Sequence, residues 1–196
     1  PAPPRCLQVN IGATNGVLLY RFAMPSAPAQ AETDVARLVR NAQSGDGDAF
    51  ALLYQRFARM VHGVVLAPIA RTLVDDVVQD VFMAAYQRLG ELREPTAFGG
   101  WLAAIARNRA ADHGRRLVPV HPVAEALTRP QAHDRVEALA VLEAIRSLPE
   151  AYSETLVLRL VEGMTGAEIA ERTGLTPGSV RVNLHRGMKL LREKLA

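Results

Sequence analysis

The sequence predicts an all-α protein built from two small helical domains. Apolar residues make up 49% of the 196-residue chain, enough for packed cores, while aromatic residues make up only 5%. Alanine, leucine and arginine are abundant, and this composition favours helices over strands. Apolar positions recur at helical spacing in several segments, whereas no segment of any length shows the alternation of a strand.

The first helical domain is predicted over residues 31–116. Its opening helix begins near Thr33 or Asp34, because either side chain suits an N-cap. Three further helices carry apolar residues on one helical stripe. They cover about residues 49–66, 73–89 and 96–115. The first two of these end before Pro68 and Gly90, residues that commonly terminate helices.

Two segments of different composition flank this domain. Residues 1–30 contain five prolines, few charges and no sustained period, which predicts a disordered or weakly ordered leader. Residues 117–134 contain three prolines and again no clean period, which predicts an extended linker. The second domain then covers residues 135–196. Its predicted helices begin near residues 134 and 150 and are followed by a C-terminal pair.

The C-terminal pair has the pattern of a helix-turn-helix. Thr165 and Glu168 are spaced as a capping box, in which each side chain satisfies an amide at the start of a helix. Gly174 suits the left-handed geometry of a tight turn between two helices. Thr176 then caps a second helix, with Pro177 at its first position, where a missing N–H does no harm. The sequence therefore predicts a helix-turn-helix that reads duplex DNA.

The charge distribution agrees with two contacts to a polyanion. Residues 172–196 hold six lysines and arginines against one glutamate, a local charge of +5. Residues 98–116 hold four arginines against one aspartate, a local charge of +3. At 100° per residue, the last helix turns Val180, Leu184 and Leu191 inward and its basic residues outward. Two solvated helix faces remain the alternative explanation.

Several classes of function are disfavoured. Cys6 is the single cysteine, so an internal disulfide or a zinc site of several thiolates is excluded. No apolar run reaches the ~18 residues needed to cross a membrane, and we expect a cytoplasmic protein without membrane insertion. No nucleophile–base pair, phosphate-binding loop or cluster of metal ligands is apparent. We therefore expect neither an enzyme nor a bound cofactor or metal.

Motifs along both predicted domains resemble those of bacterial sigma factors of the sigma-70 family. The first domain carries motifs similar to region 2, namely residues 47–50, 75–82 and 98–108. The second carries motifs similar to region 4, namely residues 148–150, 155–163, 167–170 and 176–181. Regions 2 and 4 joined by a short linker, without a region 3, are similar to the extracytoplasmic-function (ECF, group four) branch.

The resemblance implies a set of partners. Core RNA polymerase would be bound through its β′ clamp and β flap, promoter DNA through both regions, and an anti-sigma factor would hold the protein inactive. The polymerase-binding residues would be Asp75, Asp76, Gln79 and Asp80. A solvated acidic helix face is the alternative, since acids near a helix N-terminus are favoured by its dipole. A cation shared by Asp76 and Asp80 is disfavoured because no further ligand completes the shell.

The residues and the resemblance together predict two sets of DNA-binding residues. Those for the −35 element are Thr176, Pro177, Ser179, Arg181, Val182, His185, Arg186 and Lys189. Those for the −10 element are Phe98, Trp101, Arg107, Asn108, Arg115 and Arg116. Phe98 and Trp101 have a second explanation as core anchors, which is the commoner role of aromatic rings in a small helical domain.

The leading hypothesis for function is a sigma factor that recruits core polymerase to promoters and starts strand opening. The alternative is a stand-alone helix-turn-helix transcriptional regulator, which would bind palindromic duplex as a dimer. The sequence disfavours this alternative because no dimerisation helix or effector domain is apparent.

Overall fold

The computed structural model describes residues 28–116 and 132–195, and every regular element in these two ranges is helical. The all-α fold class is thereby confirmed. Of the predicted leader over residues 1–30, residues 1–27 lie outside the described residues. Of the predicted linker over residues 117–134, residues 117–131 lie outside them. The domain boundaries stay predictions.

The first described range folds into helices α1 to α4. Their bounds are Pro28–Gln43, Gly47–Leu66, Val74–Arg88 and Phe98–Arg116. Short 3-10 turns precede α3 and α4, and a third follows α3. These turns shift the observed ends of α3 and α4 by one or two residues from the predicted ones, as is usual where a helix tightens at its end.

The predicted start of α1 is wrong. The helix begins at Pro28, so Thr33 and Asp34 lie within it and neither is its N-cap. Proline is well suited to a first helical turn because it lacks only an N–H that would be unbonded there. The Asp34 carboxylate instead accepts a hydrogen bond of 2.7 Å from Arg37 along the exposed side of the helix.

Helix α2 is fixed at its start by Asp46 and along its length by an apolar stripe. The Asp46 carboxylate accepts hydrogen bonds from the backbone N–H groups of Asp48 and Ala49, both at 3.0 Å. This cap places the start of α2 two residues before the predicted position. Leu53 and Phe57 of the predicted stripe are buried, as helical spacing predicts, whereas Tyr54, also placed on that stripe, is 44% exposed.

The second described range contains α5 to α8 and one π-helical segment. The α-helices are Ala132–Arg146, Glu150–Leu156, Gly166–Thr173 and Pro177–Leu195. The π-helical segment, Val157–Val161, continues α6 directly. The Glu162 N–H bonds the carbonyl of Val157 at 3.1 Å, five residues back. The predicted helix over residues 150–162 is therefore present, but its second half is wider than an α-helix.

Buried side chains of both ranges belong to one continuous core. Met60 of α2 and Leu102 of α4 belong to the same apolar cluster as Leu158 of the π-helical segment and Ile169 of α7. Helix α7 lies against α4, the π-helical segment lies against α2, and α8 packs on α6. The two sets of helices consequently bury apolar surface against each other as well as within themselves.

Candidate nucleic-acid interface

The turn that orients the last two helices has the predicted capping geometry. The Thr165 N–H donates to the Glu168 carboxylate at 2.8 Å, and the Glu168 N–H donates to the Thr165 hydroxyl at 3.2 Å. Gly174 ends α7 with φ of 75°, the left-handed conformation that glycine adopts without strain. The turn is therefore set by local bonds at both ends of α7.

These bonds also affect the titration of Glu168. Partial burial acts to raise the pKa of Glu168, but the hydrogen bonds from Thr165 and the charges of Arg172 and Arg59 outweigh it, so the pKa is lowered. A lowered pKa in the folded state means that the ionised carboxylate stabilises the fold above its unfolded pKa. This contribution is lost as the pH falls through the folded value.

Replacing Thr165 with alanine should destabilise the helix-turn-helix. The substitution removes the hydroxyl that accepts the Glu168 N–H, and loss of such a cap lowers the free energy of unfolding by about 0.5–2 kcal/mol. Urea unfolding followed by circular dichroism measures the change. Thr72→Ala, at an exposed position in a 3-10 turn, is the control and should change stability by less than about 0.5 kcal/mol. Equal losses in both variants would contradict a capping role for Thr165.

The start of α8 is also capped by a side chain. The Ser179 N–H donates to the Thr176 hydroxyl at 3.1 Å, and the two hydroxyl oxygens are 2.9 Å apart. Pro177 is the first residue of the helix. The positive end of the helix dipole and two hydroxyl groups therefore meet at an exposed helix start, an arrangement that suits a phosphate oxygen.

Helix α8 separates its apolar and basic residues onto different faces. Val180, Gly187 and Leu191 are buried against the rest of the fold. The predicted −35 residues are all exposed, namely Thr176, Pro177, Ser179, Arg181, Val182, His185, Arg186 and Lys189. The helix thus presents one continuous basic surface, with Lys189 3.9 Å from Glu193 at its far end. A surface of this kind fits the major groove of duplex DNA.

The acidic residues of α3 form a second exposed surface. Val74, Val77, Val78 and Val81 are buried, which leaves the predicted polymerase-binding residues on the outside. Asp75, Asp76, Gln79 and Asp80 are all exposed. Asp80 lies 3.3 Å from His113 of α4, while Asp75 and Asp76 occupy the first turn of the helix. We call these four residues the acidic face.

The predicted −10 residues differ widely in exposure. Phe98 is 0% exposed and packs edge-on against Phe57, with ring centres 5.1 Å apart. Trp101 is half-buried, with its ring 6.0 Å from that of Phe98, and Asn108 is exposed. The side chains of Arg115 and Arg116 lie outside the described residues. In this arrangement Phe98 is a core residue, so its ring is not presented to DNA.

Arg107 binds a partner that sequence reasoning missed. Its guanidinium donates two parallel hydrogen bonds of 2.8 Å to Glu154 of α6, whose side chain is only 8% exposed. The hydrogen bond with Glu154 raises the pKa of Arg107 further above its usual value, against the opposing effect of burial. The burial of Glu154 within residues 153–158 is known only from the structure, so no local sequence signal pointed to this pair.

Residues 28–116 and 132–195 contain neither a metal-binding cluster nor a membrane-spanning helix. No group of three or more histidine, cysteine, aspartate or glutamate side chains is arranged to hold a metal ion there. In the same part of the chain, no helix combines the length and apolar character needed to cross a bilayer.

An exposed basic helix in a capped helix-turn-helix, next to a second helical unit, defines a DNA-binding protein of the all-α class. Comparison with known proteins narrows this class. Residues 53–118 match the family Sigma-70 region 2, and residues 138–191 match Sigma-70, region 4.

Individual relatives extend the match over most of the chain. The ECF RNA polymerase sigma-E factor of Haemophilus influenzae is 31% identical over 83% of this chain and 95% of its own length. The ECF RNA polymerase sigma factor BldN of Streptomyces coelicolor is 31% identical over 82% of this chain and 67% of its own. The structure of CnrH in complex with the cytosolic domain of CnrY aligns with a TM-score of 0.60 at 29% identity, covering 83% of this chain and 97% of the matched chain.

The chain therefore belongs to the ECF sigma factors of the sigma-70 family. Its function is that of an RNA polymerase sigma factor in transcription initiation, as the sequence predicted. The stand-alone regulator is set aside, because it would not account for region 2. The relatives of this chain are sigma factors, which are not catalytic enzymes.

Proposed function

We propose that this sigma factor binds polymerase and promoter DNA through three separate surfaces. The basic face of α8 reads the −35 element, the acidic face of α3 binds the polymerase β′ clamp, and α4 contacts the −10 strands. The proposal depends most on one observation, which is that the predicted −35 residues on the basic face of α8 and the four residues of the acidic face are all exposed. Acting with polymerase, the protein would function in the cytoplasm.

Electrostatic complementarity supports the role of the acidic face. Asp75, Asp76 and Asp80 lie on one exposed helix side without a lysine or arginine bridged to them among the ion pairs of the described residues. An acidic surface of this kind attracts a basic partner surface and fixes its register. The docking partner we propose is the basic coiled coil of the β′ subunit.

The α8 surface is proposed to combine base and phosphate contacts. Arg181, His185 and Arg186 lie in the first turns of the helix, where side chains of a recognition helix reach base edges. Thr176 and Ser179 lie at the capped start of that helix, next to its unbonded N–H groups, and suit a phosphate. Lys189 lies further along and adds charge toward the DNA backbone.

An anti-sigma factor is a further partner that we propose. CnrH, which resembles this chain over most of its length, was solved in complex with the cytosolic domain of CnrY. A protein segment that covers the acidic face, or that keeps the two regions from binding polymerase, would inhibit this sigma factor. Adding a candidate anti-sigma factor to transcription reconstituted from core RNA polymerase and the purified chain would test this inhibition.

Transcription reconstituted from core RNA polymerase and the purified chain tests the proposal. The combination of Asp75→Asn and Asp76→Asn should weaken polymerase binding about tenfold at low salt, because two charges of the docking surface are lost. Binding of the same variant to duplex DNA should be unchanged. Fluorescence anisotropy of the labelled chain, titrated with core polymerase, measures the affinity for polymerase.

The control is a second double variant, Asp48→Asn with Glu94→Gln, which removes the same charge from exposed positions outside the acidic face. It should bind polymerase like the unmodified chain. If both double variants bind polymerase equally well, the acidic face is not the docking surface. If the unmodified chain and core polymerase give no promoter-dependent transcript, the roles proposed for the three surfaces are wrong.

A further inference from the structure

Helix α8 carries a large apolar side chain in the middle of its outward face. At 100° per residue, Val182 lies about 200° around the helix from the buried Val180, almost opposite the row that packs inward. Val182 is 44% exposed. Its neighbours one turn away on the same face are polar or charged, namely Ser179, His185 and Arg186. An exposed valine therefore lies at the centre of the surface proposed to enter the major groove.

The position of Val182 along the helix directs it toward the bases. Helix α8 begins at Pro177, so Val182 lies in its second turn. The first turns of a recognition helix are the part that contacts base edges. Lys189 lies on the same outward row two turns later, where such a helix leaves the bases and passes the DNA backbone. Of these two outward side chains, Val182 is consequently the one that faces the floor of the groove.

The residues before Val182 leave it accessible from the start of the helix. Gly178, four residues earlier, lies on the same face and has no side chain. A Cβ atom built on Gly178 would lie 3.9 Å from the Oγ1 atom of Thr176 and would meet no other described part of the fold within 4 Å. No bulky group on this side holds a base pair away from the Val182 methyl groups.

The amide next to Val182 is turned away from this surface. The Nδ2 atom of Asn183 donates to the Oγ1 atom of Thr155 in α6 at 3.4 Å, and Asn183 is half-buried. Thr155 is itself buried. Asparagine is a residue type that reads adenine through two hydrogen bonds, and here its amide is bound within the fold. Val182 rather than Asn183 is therefore presented to the base edges at this level of the helix.

The major groove offers a valine one complementary group. All four bases present hydrogen-bonding atoms there, and thymine adds an apolar C5-methyl group. A valine pressed against a guanine or adenine edge would remove water from acceptor atoms without bonding them, which costs free energy. The methyl groups of a helical valine are held in one preferred rotamer, so this apolar surface is fixed before DNA binds. Contact with a thymine methyl group is thus the favourable arrangement for Val182.

We propose that Val182 is a specificity-determining residue that contacts the C5-methyl group of a thymine in the −35 element. The inference rests on the proposed role of α8 in reading that element, and it adds which chemical group of the DNA this side chain recognises. Arg181 and Arg186 supply hydrogen bonds and charge, whereas Val182 discriminates between bases without a hydrogen bond. The duplex sequence that the protein prefers therefore contains a thymine whose methyl group is required.

The test begins with the full chain and a random-sequence duplex pool. Duplexes that the chain retains are sequenced to give the preferred element, and each thymine of that element is replaced in turn by uracil. Uracil pairs with adenine as thymine does and lacks only the C5-methyl group. Uracil at one thymine should weaken binding about fourfold, the change that corresponds to about 0.8 kcal/mol for one buried methyl-sized group. Fluorescence anisotropy of the labelled duplexes measures each affinity.

Val182→Ser shows whether this side chain senses the methyl group. Serine and valine have similar helix propensities and residue 182 is exposed, so α8 should keep its stability. The variant should bind the thymine and the uracil forms of the element equally, because the apolar surface has been removed. Circular dichroism and urea unfolding establish that the variant is folded like the unmodified chain.

The matched control is Leu195→Ser, since Val182 and Leu195 are the large apolar side chains of α8 that are exposed. Leu195 is the last residue of the helix, at the opposite end from its capped start. This control should discriminate between thymine and uracil as strongly as the unmodified chain.

Two results would overturn the inference while leaving the role of α8 intact. One is a Val182→Ser variant that still discriminates about fourfold between thymine and uracil. The other is a preferred element in which uracil weakens binding at no position. If the unmodified chain instead selects no common duplex sequence, the proposed reading of DNA by α8 is itself wrong, and the role of Val182 falls with it.

Discussion

Replacing Phe98 with alanine is expected to lower the free energy of unfolding by about 3–5 kcal/mol, the usual loss for a fully buried phenylalanine. The ring is 0% exposed and packs edge-on against Phe57, so its removal leaves a cavity between α2 and α4. A loss of this size is a large share of the about 5–15 kcal/mol that stabilises a typical protein. Urea unfolding monitored by circular dichroism measures it.

Two companion variants show whether the loss comes from packing. Phe98→Leu keeps most of the apolar volume and should lose less than about 1.5 kcal/mol. Met83→Ala removes a side chain that is 54% exposed on α3 and should change stability by less than about 0.5 kcal/mol. If Phe98→Ala proves as stable as Met83→Ala, Phe98 is not a core residue, and a direct contact with −10 DNA regains its place.

Replacing Arg181 with alanine is expected to weaken binding to the cognate −35 duplex by about 1–3 kcal/mol, or about 5- to 150-fold in affinity. Arg181 is exposed in the second turn of α8, beside the face that buries Val180 and Leu191. An arginine at this position suits a bidentate contact with a guanine edge. Binding to a duplex with a scrambled −35 element should fall much less, so that sequence preference is lost together with affinity.

The control for this variant is Arg192→Ala on the same helix. Arg192 is also exposed, but it lies in the last turn of α8, far from the capped start. Its loss removes the same charge, so cognate and scrambled duplexes should be weakened to a similar and small extent. If Arg181→Ala discriminates between the cognate and the scrambled duplex as strongly as the unmodified chain does, Arg181 contacts phosphate and reads no base.

The helix-turn-helix could be predicted because the residues that define it act over short distances. Thr165, Glu168 and Gly174 each meet a requirement of backbone geometry within a few positions, and the observed hydrogen bonds and positive φ agree with all three. The apolar stripes of α2 and α3 were predictable for a similar reason, since helical period alone decides which side faces a core. The exposure of the basic and acidic faces followed from the same period.

Other features could not be read from local patterns. Asp46 caps α2 from a segment that reads as a loop, and the π-helical half of the predicted helix over residues 150–162 has no clear sequence signal. The role of Phe98 depended on whether a neighbouring ring lay against it, and Phe57 is 41 residues away in the chain. Contacts of this kind depend on how whole helices cross, which periodicity does not specify.

The sequence by itself determined the helical class, the capped helix-turn-helix and the membership suggested by two sets of motifs, because these depend on spacing within single helices. The tertiary structure decided which of the side chains predicted to contact DNA are instead bound within the protein. Arg107 reads in the sequence as a DNA contact, yet it is bound by Glu154, and Gly63 reads as an ordinary helix glycine, yet it admits Leu158. Both depend on packing between segments far apart in the chain, which spacing within single helices does not specify, and a Cβ atom at residue 63 would require the Leu158 side chain to shift.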